Sequence, residues 1–189
     1  MQYLGMLAHL RTSSLIGIPT ASRTAPLFYP WAVPIYFNFG TIGSLIAKEL
    51  SVMLRPFLGG RKPNPMWTES GIGTVKPTLE CLKRMMANID GNTSDEYSAG
   101  LFEWSRSAKI AYDAMDDHVF KSIPHVEDRA KYMMEASRIF FRRFCLISCG
   151  MSLGKVWCNL PLQNMREFAS TFGCTGSNRM VPERICITV

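Results

Sequence analysis

The stretch FNFGTIGSLIAKELSVML, residues 37–54, decides how the rest of the chain is read. Glycines punctuate its start, and Ile42, Leu45, Ile46, Glu49 and Met53 then fall at helical spacing. A single carboxylate therefore sits on an otherwise apolar face, where unpaired glutamates are rare. Lys48 and Val52 lie one turn apart on the adjoining stripe. The pattern predicts a helix from about Gly40 to Leu54 that ends before Pro56.

Upstream, Leu15–Ile18 reads as a short β-like run stopped by Pro19. Thr20–Pro34 holds three prolines and reads as an extended loop with Phe28, Tyr29 and Trp31 as aromatic anchors. Downstream, Gly59–Pro65 is rich in turn residues. Trp67–Asn88 has a helical pattern, interrupted near Gly71–Gly73 and at Pro77. Asp90–Ser98 reads as a loop. A helix over about Gly100–Val119 aligns Leu101, Trp104, Ala108, Ala111, Tyr112 and Met115. Another over about Val126–Ser148 aligns Met133, Ala136, Phe140, Phe144 and Ile147, with Arg138, Arg142 and Arg143 on its solvated sides. Asn164 followed by Glu167 reads as a capped helix start, and that helix ends by Gly173. The tail from Arg184 is extended.

The 189 residues are 47% hydrophobic and 19% charged, enough for a buried core and too apolar for disorder. The net charge of +6 is scattered and forms no basic stripe interleaved with aromatics, which argues against a nucleic-acid partner. Six cysteines stand at 81, 145, 149, 158, 174 and 186, with no C-x-x-C pair. That spacing argues against structural zinc and for disulfides in an oxidising compartment. Asn92-Thr93-Ser94 is a glycosylation acceptor sequence. No signal peptide is visible, and the longest apolar stretch, Leu27–Phe39, is broken by prolines, so no membrane segment is expected.

Several segments, in order, resemble the C-terminal half of the neprilysin and endothelin-converting-enzyme family of zinc metalloendopeptidases. That family runs N-F/Y-G-G-I-G-x-V-I-G-H-E where this chain has Asn38-Phe39-Gly40-Thr41-Ile42-Gly43-Ser44-Leu45-Ile46-Ala47-Lys48-Glu49. Trp67-Thr68-Glu69-Ser70 is similar to its W-T-E-E-S, Glu80-Cys81-Leu82 to its Q-C-L, and Ala108–Tyr112 to the G-L-K-x-A-Y that follows its E-N-I-A-D. Phe140-Phe141 with Cys149-Gly150 resembles F-F…W-C-G. The run from Leu162-Gln163-Asn164 through Glu167-Phe168 to Cys174 resembles L-x-N-x-x-E-F…F-x-C. Gly176-Ser177, Met180, Pro182 and Cys186 echo the closing block. The likeness extends from roughly Ile16 to the C-terminus.

The resemblance implies a mainly α fold, a thermolysin-like (gluzincin) catalytic-domain fragment with a short β edge near the N-terminus. Residues 1–36 would be the strand and loop part of the peptidase domain. Residues 37–189 would be its helical C-terminal core, with a degenerate zinc-binding helix at 40–54. It also implies an extracellular or membrane-tethered ectodomain whose N-terminal helical part and anchor are missing here. The family holds zinc through the two histidines of H-E-x-x-H and a later glutamate, with the first glutamate as general base. On this chain those ligands fall at Lys48, Val52 and Gly100, and only Glu49, the vestigial general base, keeps its identity. The aspartate of E-N-I-A-D falls at Trp104, the late arginine at Trp157, and H-x-F-D-D becomes Val52–Pro56. The substrate-binding N-A-x-Y, expected near Met6–His9, is not recognisable.

Valine and glycine offer no donor atom, and an ammonium repels a dication, so no zinc and no other cofactor is expected. Glu49 then reads most simply as a structural carboxylate paired with Lys48, Lys109 or an arginine. Glu103, one turn from Gly100, is a candidate substitute ligand. His9, His118 and His125 lie outside the ligand motifs. The resemblance also implies a Cys81–Cys186 disulfide, and it gives Cys149 and Cys174 partners in the missing region. Cys145 and Cys158 have no family counterpart and could bridge each other. Three functional readings follow. The first is an inactive peptidase homologue that binds peptides or a protein partner. The second is a zinc metalloendopeptidase that keeps weak activity or whose sequence is a faulty reading of its gene. The third is a structural or interaction domain without peptide binding.

Overall fold

A computed structural model describes residues 8–9, 16–31, 33–55, 57–58, 62–63, 65–90 and 95–187. The glycosylation sequence at 92–94 and most of the 1–10 segment lie outside them. The described fold is mainly α. Its strands are two-residue pairs: β1 (Ala8–His9) runs antiparallel to β2 (Ile16–Gly17), and β3 (Phe57–Leu58) antiparallel to β4 (Lys62–Pro63).

The helices are α1 (Tyr36–Asn38), α2 (Ser44–Met53), α3 (Glu69–Asp90), α4 (Asp95–Ser122), α5 (Val126–Leu146), α6 (Gly154–Gln163) and α7 (Arg166–Phe172). A π-helical segment, Phe39–Gly43, joins α1 to α2, so helical backbone begins before the expected Gly40. The wide turn has local causes. Thr41 Oγ1 donates to the carbonyls of Leu27 (2.6 Å) and Phe37 (3.0 Å), and Ser44 Oγ to that of Phe39 (3.1 Å). These side chains offer the backbone alternatives to the regular ladder. Gly40 is required by close approach: a Cβ there would lie 2.6 Å from the Phe140 carbonyl oxygen and 2.8 Å from Arg143 Cβ.

α4 stands between two cores. Leu101, Trp104, Ala108, Ala111, Tyr112 and Met115, the face set by the sequence pattern, are all buried. Trp104, Tyr112 and Met115 join Leu45 and Ala47 of α2, Ala136, Phe140, Phe141 and Phe144 of α5, and Leu162 beyond them. Trp104 stacks on Phe144 at 4.7 Å, and Tyr112 meets Phe140 edge-on and Phe141 face-on at 5.3 Å. Leu101 and Phe102 instead meet Cys81, Leu82 and Met86 of α3, Val156 and Leu160 of α6, and Ile187 of the tail.

Several local expectations are corrected. α3 runs unbroken through Gly71, Gly73 and Pro77. Pro77 faces solvent, and the Gly73 carbonyl left without its donor is at an exposed residue where water is available. α4 begins at Asp95, inside the expected loop, and ends at Ser122. α6 has no counterpart in the sequence reading, because Pro161 masks it. Trp31 is 95% exposed and anchors nothing, whereas Leu27 is buried at 2%. Arg143 is half-buried rather than fully solvated. Its guanidinium lies 4.9 Å over Tyr29 and 5.7 Å over Phe37 and donates to the Pro26 carbonyl.

Asn164 does not cap α7, whose N-cap is Met165 with no side-chain bond. Its amide serves the tail instead. Oδ1 accepts from the backbone N–H of Cys186 (2.7 Å) and Ile187 (3.3 Å), and Nδ2 donates to the Leu160 carbonyl (2.9 Å). The Cys81–Cys186 disulfide fixes the same tail to α3 across a sequence separation of 105 residues. A second disulfide, Cys145–Cys158, ties α5 to α6, and Cys149 and Cys174 are free thiols.

Candidate functional site

Glu49 is 3% exposed on α2, a helix that packs against α4. A carboxylate so placed needs a counter-charge, since desolvation penalises its charged form. Lys48 supplies one: its Nζ donates to Glu49 Oε1 at 2.8 Å. Adjacent helical residues do not ordinarily face each other, so the long lysine stem must bend around the helix to reach. Lys109, the other lysine considered for Glu49, pairs with Asp113 at 2.5 Å and Glu167 at 3.4 Å. Burial works against the Lys109 charge, and the two carboxylates outweigh it and raise its pKa. Lys109 thereby links α4 to α7. Val52, at the second ligand-equivalent position, is packed into the interior.

The third ligand-equivalent position, Gly100, lies under an aromatic ring. A Cβ on Gly100 would stand 3.0 Å from Trp157 Cη2, so Trp157 occupies the space a longer side chain would need. Trp104 is 1% exposed and donates from Nε1 to the Trp157 carbonyl at 2.8 Å. That carbonyl is available because of Pro161. A helix residue four positions on would normally donate to it, and proline has no N–H. The indole of α4 thus satisfies the acceptor that Pro161 leaves in α6.

The C-terminal end of α2 carries a second charged group. Arg55 grips Glu103 through both nitrogens, Nε to Oε1 and Nη2 to Oε2 at 3.2 Å. Glu103, the candidate substitute ligand, is therefore engaged by a guanidinium in a two-pronged pair. Beside it, Trp67 Nε1 donates to the Leu54 carbonyl at 2.8 Å. Arg106 lies 5.0 Å over the Trp67 ring and 5.5 Å over Phe102, with its Nη1 buried and without a hydrogen-bond partner. Burial lowers the Arg106 pKa, and the Glu103 charge opposes that shift. Arg106 was not singled out from the sequence. Its one signal was an arginine four residues after Phe102 on the same predicted helix.

His118 lies 5.9 Å from the Phe39 ring and 3.4 Å from Ser122 Oγ, and His125 is the exposed N-cap of α5. Neither joins Glu49. His9 falls in β1, and its side chain is outside the described set. Among the described residues, no group of three or more His, Cys, Asp or Glu side chains is placed to hold a metal ion. Zinc also fails a test of fit at the ligand-equivalent positions. Val52 and Gly100 present no donor atom, and the Lys48 ammonium already neutralises Glu49.

Among the described residues, no helix is long and apolar enough to cross a membrane. No protein-family model, curated protein or solved structure matches this chain.

Proposed function

We propose that this chain is a catalytically inactive homologue of the neprilysin-like zinc endopeptidases, with a thermolysin-like helical core, that binds a peptide or a protein partner without hydrolysing it. The observation that carries this reading is the packing of α2 on α4, with Glu49 of α2 buried and held by Lys48 of the same helix. These two helices bear every position that the resemblance assigns to zinc and to the general base. An internal ammonium stands beside the carboxylate where the family has a metal-activated water. Trp157 over Gly100 supports the same reading, because an aromatic ring fills the ground of the third ligand.

Without a metal to lower the pKa of a bound water, Glu49 has no competent nucleophile to generate. Binding of a peptide or protein partner is the activity that a family member without its metal can retain. The two disulfides fit an oxidising, extracellular setting, and an N-terminal helical domain of the same family is a further expected partner.

The test is zinc uptake by two proteins side by side, the wild type and Lys48→His/Val52→His/Gly100→Glu with Trp157→Ala. On this reading the wild type binds far less than one equivalent and cleaves no oligopeptide, and the restored variant binds about one. Failure of the folded variant to bind zinc would contradict the peptidase-like arrangement of α2 and α4.

A further inference from the structure

Three of the six cysteines border one cavity. It measures about 600 Å³ and is lined by Cys145, Cys149 and Cys158 together with Ser148, Lys155 and Asn159. Cys145 and Cys158 are bonded to each other, with Cα atoms 4.7 Å apart, and Cys149 is an exposed free thiol. A thiol and a disulfide on the wall of one open cavity are the reactants of an exchange reaction.

The backbone brings them into reach. Cys149 follows Cys145 by one helical turn, and its Sγ lies 3.7 Å from the Cys145 carbonyl oxygen. Residues that far apart on a helix have Cβ atoms roughly 5–6 Å from each other. Cys149 nevertheless lies beyond the last residue of α5, Leu146, in an irregular turn. That turn folds back sharply onto the start of α6. Gly150 has φ +77° and Leu153 φ +62°, the latter costly for a side chain with a Cβ. A Cβ on Gly154 would lie 2.5 Å from the Ser148 carbonyl oxygen. Cys158 is one turn of α6 beyond Gly154. The residue before Cys149 is therefore packed against the helix that carries Cys158, and Cys149 sits at the end of a tight i→i−3 turn, its N–H donating to the Leu146 carbonyl at 3.1 Å.

We propose that Cys145, Cys149 and Cys158 form a thiol–disulfide exchange site, in which the bond to Cys158 migrates between Cys145 and Cys149. The Cys149 thiolate attacks Cys158 Sγ. A Cys149–Cys158 bond forms, the Cys145–Cys158 bond breaks, and the electron pair leaves on Cys145 as a thiolate that takes up the proton Cys149 lost. One thiol and one disulfide stand on each side, so no oxidant or reductant is consumed. The covalent link between α5 and α6 becomes a link between the turn and α6, and the free thiol moves from the exposed turn to the half-buried end of α5.

The experiment is disulfide mapping of the whole protein, with free thiols alkylated under native, non-reducing conditions and the bridges read by mass spectrometry. It is done in a Cys174→Ser background, so that one free thiol remains. The expected result is two populations: alkylated Cys149 with the Cys145–Cys158 bridge, and alkylated Cys145 with a Cys149–Cys158 bridge. Adding Cys149→Ser abolishes alkylation at Cys145, and adding Cys145→Ser instead gives the Cys149–Cys158 bridge. A map that holds only the Cys145–Cys158 bridge, with all label on Cys149 after prolonged incubation at alkaline pH, overturns the proposal whatever the variants do.

Discussion

Replacing Lys48 by methionine keeps most of the stem and removes the ammonium beside Glu49. The carboxylate is then buried without this counter-charge, and breaking such a pair costs more than the pair contributes. The expected loss is about 1–3 kcal/mol, measured by urea denaturation, and Glu49→Gln in the same background should recover part of it. No loss in Lys48→Met would show that the ion pair does not hold Glu49. A second residue-scale expectation concerns Tyr36, whose hydroxyl donates to Glu135 at 3.0 Å. Burial first, and then Glu135, push its pKa from 10.0 up to about 12. The raised folded-state value means that this contribution to stability is complete below the ordinary tyrosine range and lost as pH rises through about 12. Absorbance titration should show an ionisation step near that pH that is missing in Tyr36→Phe.

Between elements, the Trp104 indole and Pro161 act as one device. Trp104→Phe keeps an aromatic ring against Phe144 but strands the Trp157 carbonyl, at a cost of about 1–2 kcal/mol. Pro161→Ala returns an N–H to α6, so Trp104→Phe should cost less in that background. A double-mutant cycle with no coupling would refute the link. Asn164 is the comparable device for the tail. Asn164→Ala leaves the Cys186 and Ile187 N–H groups buried without their acceptor and should lower stability by about 2–3 kcal/mol, read from the thermal transition. The helical faces at this scale were legible because they rest on periodicity. α4 buries the residues that the spacing marks, and α5 does so except for Met133, which is half-buried. The Asn164 clasp was not legible, since a cap and a tail clasp draw on the same amide chemistry and only the tail's position separates them. α6 was hidden for a related reason: Pro161 reads as a breaker until a tryptophan from another helix takes its orphaned carbonyl.

For the whole molecule, the Cys81–Cys186 disulfide closes the longest covalent loop among the described residues. The chain-entropy model gives such a closure about 4–5 kcal/mol. Reduction should therefore lower the melting temperature sharply, and Cys81→Ser/Cys186→Ser should reproduce most of that drop, the remainder coming from Cys145–Cys158. The site was legible as positions rather than as contacts. Periodicity marks Glu49, the resemblance adds Lys48, Val52 and Gly100, and the sequence leaves the partner of Glu49 open between Lys48, Lys109 and an arginine. The Trp157 ring over Gly100, and the Arg55 grip on Glu103, depend on how α2, α4 and α6 are arranged in space, which no local pattern encodes.

On the proposed reading, Lys48, Val52 and Gly100 stand where zinc ligands would be needed and cannot hold the metal. Elemental analysis of zinc in the purified wild-type protein, after equilibration with the metal and removal of the excess, tests this most directly. The prediction is binding far below one equivalent, unchanged by Glu49→Gln. One tightly bound zinc per chain, lost on Glu49→Gln, would contradict it.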